Sequence, residues 1–347
     1  MKELFIRVDA NEIIATGHVM RCLAIAEEAV CQNMKPVFIL ADYAVKEMVE
    51  SHGFETIVLD SVWNQMECEI DKMTDLIDRR KIELLLVDSY FVTDKYMEVL
   101  SLHTKVVYID DLGVISCPIS GIVCYANYFD KFGYDQRFQG TKTQLLLGCD
   151  YVPLRREFKD LPQKTINDSL KNVLLLSGGT DQYHVIIKIL SVLRSFDGLE
   201  LDVICGRYNM DYDELIKLYA EKENIHIRKS VDNLIDYMQK ADLAISAGGT
   251  TLYELCACGT PTITYSIVDN QIDNVSRFQS DKLMPYLGDA RYENIAAFLP
   301  EKIKYFQNVN VRKNHSRCLR ALVDGKGTER LMRELQSRLF SDGLKVE

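Results

Sequence analysis

Short apolar runs rich in Val, Ile and Leu alternate with helical-period stretches through the first 110 residues. Residues 4–8, 36–40, 56–59, 84–87 and 106–109 are mostly apolar at successive positions, so the strands they predict are buried on both faces. Between them, apolar residues spaced three and four apart predict helices over 18–33, 43–52, 65–80 and 94–103. Doubly buried strands separated by helices predict a parallel sheet covered by helices.

The pattern loosens over 113–164 into Gly, Pro, Tyr and charged residues, which places a linker near 153–169. The alternation then restarts. Strands are expected over 173–176, 201–204, 225–227, 243–246 and 262–265, and helices over 184–196, 213–223, 231–240, 252–258 and 271–284. A final helix over 327–339 is expected to pack back across the domain boundary. Two successive arrays of this kind predict an α/β chain of two Rossmann-like, doubly wound domains, residues 1–155 and 165–345.

With 347 residues the chain is long enough for two cores. A net charge of −10 argues against a nucleic-acid partner, which requires clustered excess Lys and Arg. A phosphate-bearing ligand would have to be held locally, by backbone amides and a few placed cations. The ten cysteines form no CxxC pair; Cys22, Cys31, Cys205, Cys256 and Cys258 fall inside apolar patterns and read as buried reduced thiols. That usage fits a cytoplasmic location. No apolar run approaches the ~20 residues of a membrane span, and none reads as a signal peptide, so no membrane insertion is expected.

Three motifs carry candidate chemistry. The first joins Arg7-Val8-Asp9-Ala10 to Thr16-Gly17-His18-Val19-Met20-Arg21-Cys22-Leu23. Open α/β sheets place ligands at the carboxyl ends of their strands, and here Gly17 permits a tight turn into a helix beginning near His18. The positive end of that helix disfavours imidazolium, which suits a histidine that accepts a proton from water. Such a histidine can also serve only in capping or packing.

The second motif, Ser177-Gly178-Gly179-Thr180-Asp181, and the third, Ser246-Ala247-Gly248-Gly249-Thr250-Thr251, each lead from a strand through glycines into a helix. Their amides suit an anion, above all a diphosphate. Glu254 follows in the first turn of the third motif's helix, where a carboxylate can accept hydrogen bonds from a ribose diol. Asn270 and Gln271 open a polar cluster beyond the next strand.

Glu254 through Pro261 followed by Asn270-Gln271 resembles the donor-nucleotide motif of the GT-B superfamily, in its MurG-like branch. The Arg7-x-Asp9-Ala10 and Gly17-His18-Val19-Met20-Arg21-Cys22-Leu23 segments resemble a narrower group. That group is the UDP-2,4-diacetamido-2,4,6-trideoxy-β-L-altropyranose hydrolases of pseudaminic acid biosynthesis, with their spore-coat-polysaccharide homologues. Asp88-x-Tyr90, Asp110-Asp111 and the second motif fall in the same order, and the likeness runs to about residue 285. The resemblance implies a GT-B fold with a central cleft and His18 as the catalytic residue. It implies Arg7, Asp9, Gly17, Arg21, Asp88 and Tyr90 on the sugar side. UDP is expected at Gly178, Gly179, Thr180, Gly248, Gly249, Thr250, Thr251, Glu254, Asn270 and Gln271. It implies anomeric C–O cleavage by water, with a UDP-sugar as the only ligand and neither metal nor cofactor. One residue departs from the family's Gly-x-Gly-His: Ala15 stands at the first glycine.

In the expected mechanism His18 activates the water, Asp9 or Asp88 orients its ring, and Tyr90 holds the acetamido groups. A glycosyltransferase of the MurG type and a non-catalytic UDP-sugar binder are the two alternatives, because a fold does not fix a function.

Overall fold

Seven strands of the first half pair in parallel as one sheet. They are β1 (Lys2–Val8), β2 (Met34–Leu40), β3 (Glu55–Val58), β4 (Leu84–Asp88), β5 (Lys105–Ile109), β6 (Gly121–Cys124) and β7 (Gln144–Leu147). Their order is β3-β2-β1-β4-β5-β6-β7. The computed structural model describes residues 2–11, 16–206, 208–231 and 233–339; Ala15 lies outside them. β6 and β7 fall in the stretch where the sequence predicted no strand: their short apolar runs lie among Gly, Pro, Tyr and charged residues, without the flanking helical patterns that mark the equally short β3. Phe5, Val37, Ile39, Leu85, Val87, Tyr96 and Tyr108 meet in one core beneath the helices. Each such side chain contributes about 1.5–3 kcal/mol on burial.

The second sheet repeats this plan. Its strands are β8 (Asn172–Leu176), β9 (Glu200–Cys205), β10 (Ile225–Lys229), β11 (Leu243–Ala247), β12 (Thr262–Ser266) and β13 (Tyr286–Asp289), in the order β10-β9-β8-β11-β12-β13. Val173, Leu175, Val203, Ile245, Ile263 and Phe306 share its core. β13 and the helices Leu299–Phe306 and Val309–Leu322 extend this domain beyond the last element expected before residue 327.

The chain divides into one unit of residues 1–156 with 326–347 and another of residues 157–325. The second domain therefore ends before the expected residue 345. The amphipathic helix Gly327–Glu334 buries Leu331 and Met332 within the first unit, packing on the helix Gly17–Cys31. Thr328 Oγ1 donates to the Leu154 carbonyl at 2.6 Å, and Gln336 Nε2 to that of Gln32 at 3.1 Å. Cys31, expected among the buried thiols, is exposed in the last turn of its helix. Among the described residues no helix is long and apolar enough to cross a membrane.

In each sheet the strand order reverses beside the first strand. The reversal lies between β1 and β4 in one unit and between β8 and β11 in the other. Loops leaving the carboxyl ends of strands at such a point diverge and leave a crevice. Pairing of Val8 with Asp88 brings the end of β4 beside the end of β1. In the second sheet, pairing of Leu176 with the strand of Ser246 brings the two glycine motifs to one edge.

Candidate functional site

Gly17 opens the helix after β1 and His18 is its second residue. The backbone there is ordinary helix, so glycine's special freedom is not what the turn uses. Among the described residues a Cβ on Gly17 would meet nothing within 4 Å. His18 is only 5% exposed. Its Nδ1 lies 2.5 Å from Asp88 Oδ1, at the end of β4. A carboxylate can only accept, so Nδ1–H donates and the neutral ring keeps its lone pair on Nε2. Arg21 Nη2 lies 3.0 Å from the same nitrogen. Being a donor itself, it cannot bond to a protonated Nδ1, and the shorter carboxylate contact decides the tautomer.

One turn along the helix, Arg21 clamps the partner of His18. Its Nε donates to Asp88 Oδ2 at 2.6 Å and its Nη2 to Oδ1, in the bidentate geometry that carboxylates favour. Its Nη1 donates to Asp111 Oδ2 at 2.6 Å and to the Tyr125 hydroxyl. Burial alone would raise the Asp88 carboxyl, but Arg21 and His18 outweigh it and hold the group well below the usual carboxylate range. Arg21, expected on the sugar side, is engaged by Asp88, Asp111 and Tyr125. The Tyr90 ring stands edge-on to His18, with centroids 4.3 Å apart. Asp9, His18, Asp88, Ser89, Tyr90 and Phe91 line a narrow crevice.

Arg7 does not reach this pocket. It is completely buried; its Nε and Nη2 donate to the two Glu69 oxygens at 2.8 and 2.9 Å, and its Nη1 donates to Asp9. Glu69 also accepts from the Tyr96 and Ser61 hydroxyls, at 2.8 and 2.7 Å. Asp9 accepts the Ala41 amide at 2.8 Å. With one guanidinium shared between two carboxylates, burial pushes the Asp9 carboxyl above its usual range. The residue that orients His18 is therefore Asp88, while Asp9 joins a buried ion-pair network beneath the pocket. Glu69 had no signal in the sequence: it lies 62 residues from Arg7, in a short helical turn. Among the described residues no group of three His, Cys, Asp or Glu side chains is placed to hold a metal ion.

In the second domain, Gly178, Gly179 and Thr180 are exposed after β8. The loop is anchored by Asp181, whose oxygens accept the Val185 and Ile186 amides at 2.8 and 3.0 Å and so cap the next helix. Gly206, which the sequence did not single out, lies beneath it. A Cβ there would stand 2.0 Å from the Gly178 carbonyl oxygen and 2.4 Å from that of Gly179.

After β11 the glycines divide their work. The Gly248 amide donates to the Tyr265 carbonyl at 2.9 Å, so it is spent on the sheet rather than available to a phosphate. A Cβ on Gly248 would lie 2.4 Å from Val275 Cγ1, so glycine there serves close packing. Gly249, Thr250 and Thr251 lead into the helix Thr251–Cys258, where the Leu252 and Tyr253 amides already donate to the Gly249 and Thr250 carbonyls at 3.1 and 3.0 Å. Glu254 is half-buried in that first turn. Gln271 Oε1 accepts the Ile267 amide at 3.0 Å, and its Nε2 reaches to 3.9 Å from where a Gly249 Cβ would be. Asn270 is exposed beside it. Gly249–Thr251, Glu254, Asn270 and Gln271 thus gather at one edge, with Gly178–Thr180 on the neighbouring strand's loop.

Residues 173–299 match the glycosyltransferase family 28 C-terminal domain. The chain is 23% identical over 272 residues to the spore coat polysaccharide biosynthesis protein SpsG of Bacillus subtilis, covering 75% of this chain and 78% of that protein. It is 28% identical over 198 residues to a Helicobacter pylori protein named pseudaminic acid cytidylyltransferase and UDP-2,4-diacetamido-2,4,6-trideoxy-beta-L-altropyranose hydrolase, covering 55% of this chain and 33% of that one. Among four curated relatives the chain spans between 33% and 78% of their length. The crystal structure of Acinetobacter baumannii MurG superposes with a TM-score of 0.70 at 13% identity, covering 97% of this chain and 99% of that one. The chain accordingly has the GT-B glycosyltransferase fold: two Rossmann-like parallel-sheet domains, the second matching the family 28 C-terminal domain.

Proposed function

We propose that the protein hydrolyses the anomeric C–O bond of a UDP-linked 2,4-diacetamido-2,4,6-trideoxyhexose, releasing UDP and the free sugar for surface-polysaccharide or nonulosonate synthesis. The observation that carries this reading is the His18–Asp88 dyad, with the Nε2 lone pair in a pocket at the switch point of the first sheet. The name of the H. pylori relative supports the substrate class, and that of the B. subtilis relative supports the tie to surface polysaccharide. His18 Nε2 takes a proton from water as the water oxygen bonds to the anomeric carbon. The C1–O bond breaks with its electron pair passing to the β-phosphate of UDP. General-base help of this kind is worth roughly 10²–10⁴-fold. Gly249–Thr251 and the Gly178–Thr180 loop hold the diphosphate through their amides, Glu254 takes the ribose diol, and Asn270 and Gln271 flank the nucleotide. Tyr90, edge-on to His18, contacts the sugar.

A glycosyltransferase would use the same dyad on an acceptor hydroxyl, and the family 28 match favours that as the second reading. Incubation with UDP-diacetamido-trideoxyhexoses in ¹⁸O-water, without acceptor, separates the two. Hydrolysis at carbon gives UDP without label and a sugar carrying ¹⁸O. UDP release that waits on an added acceptor overturns the hydrolase reading.

A further inference from the structure

One edge of the His18 pocket has no part in the chemistry above. Phe91, from the loop after β4, lines the pocket and is 37% exposed. Trp63, from the loop after β3, meets the Phe91 ring edge-on at a centroid distance of 5.0 Å and an angle of 87°. Val62 beside it is 47% exposed. The pocket thus joins an ionic floor, Asp9 and Asp88, to an aromatic corner open to solvent. Scattered exposed apolar residues are normal, but two aromatic rings converging beside a reactive base are not scattered. Ligand sites combine apolar walls with a few placed polar groups in just this way.

We infer that Trp63 and Phe91 form the subsite for the acetyl methyl of the sugar's 2-acetamido group. The inference rests on the proposed UDP-amino-sugar substrate. The base must face the anomeric carbon, and the 2-acetamido group is borne by the adjacent ring carbon. The uracil, by contrast, is separated from that carbon by the ribose and two phosphates. A methyl group laid on an aromatic face leaves water on both sides, while the amide N–H and C=O remain free for polar partners.

Trp63 is the chain's only tryptophan, so its fluorescence reports this corner alone. Binding of the UDP-2,4-diacetamido sugar, of its 2-formamido analogue and of UDP is measured in His18→Asn protein, alone and combined with Phe91→Ser or Phe91→Leu. The acetyl compound is expected to bind about fourfold tighter than the formyl compound, the worth of one buried methyl. It should shift Trp63 emission where UDP alone does not. Phe91→Ser brings the acetyl-to-formyl ratio within twofold and leaves UDP affinity unchanged, whereas Phe91→Leu retains the preference. An unchanged ratio in Phe91→Ser, or a full Trp63 shift on UDP alone, overturns the subsite. Wild-type hydrolysis without methyl preference removes the subsite and spares the hydrolase reading. Methyl preference without hydrolysis does the reverse.

Discussion

Replacing Asp88 by Asn is the most instructive perturbation of the dyad. The carboxylate accepts from His18 Nδ1 at 2.5 Å and takes two bonds from Arg21. When His18 removes a proton from water it becomes a cation beside this anion. At roughly 4 Å between charge centres and an effective dielectric near 20, that attraction is about 4 kcal/mol. An amide of the same shape loses it, and the Arg21 charge then opposes the imidazolium. Three decades in kcat correspond to about 4 kcal/mol, so a loss of roughly 10³-fold is expected, with KM little altered. UDP release is the assay, with circular dichroism to show that the variant is folded. A kcat within tenfold of wild type would show that the Asp88 charge does not stabilise the His18 imidazolium. The same substitution has a signature in stability. In the folded protein the Asp88 carboxyl is held below its unfolded value of about 3.9, so its contribution is present above about pH 4 and lost as pH falls further. Asp88→Asn should therefore flatten the acid limb of the stability profile, which unfolding measured between pH 2 and 6 will show.

Other consequences follow from the same contacts. Glu69→Ala leaves Arg7 buried with only Asp9, and destabilisation of about 3–5 kcal/mol is expected in urea unfolding of the first domain, while UDP binding is unaffected. Gly206→Ala forces a methyl to within 2.0 Å of the Gly178 carbonyl, so UDP affinity should fall in calorimetry, with about 1–3 kcal/mol of stability lost. Wild type should bind UDP about tenfold tighter than 2′-deoxy-UDP, and Glu254→Ala should erase that preference; a preserved ratio removes Glu254 from the ribose.

The sequence made the elements legible where runs were long and doubly buried, as in β1, β2 and β4. It missed β6, β7 and β13, four residues each, because no helical-period stretch flanks them on both sides as it does the equally short β3. The glycine loops and His18 were legible because strand-to-helix turns have a local signature. The division of labour between Asp9 and Asp88 was not, because it depends on strand register: pairing of Val8 with Asp88 sets the second carboxylate beside the histidine. Glu69 takes Arg7 and draws Asp9 into a different network, a long-range contact with no local trace. Gly248 shows the same limit, since only the sheet reveals that its amide is already bonded to Tyr265.

Acceptor-free UDP release by wild-type and His18→Asn protein decides whether His18 activates water. Hydrolysis by the wild type is expected, with a fall of at least about 10²-fold in kcat for the variant and UDP binding unchanged. Release by His18→Asn within tenfold of wild type contradicts that role for His18.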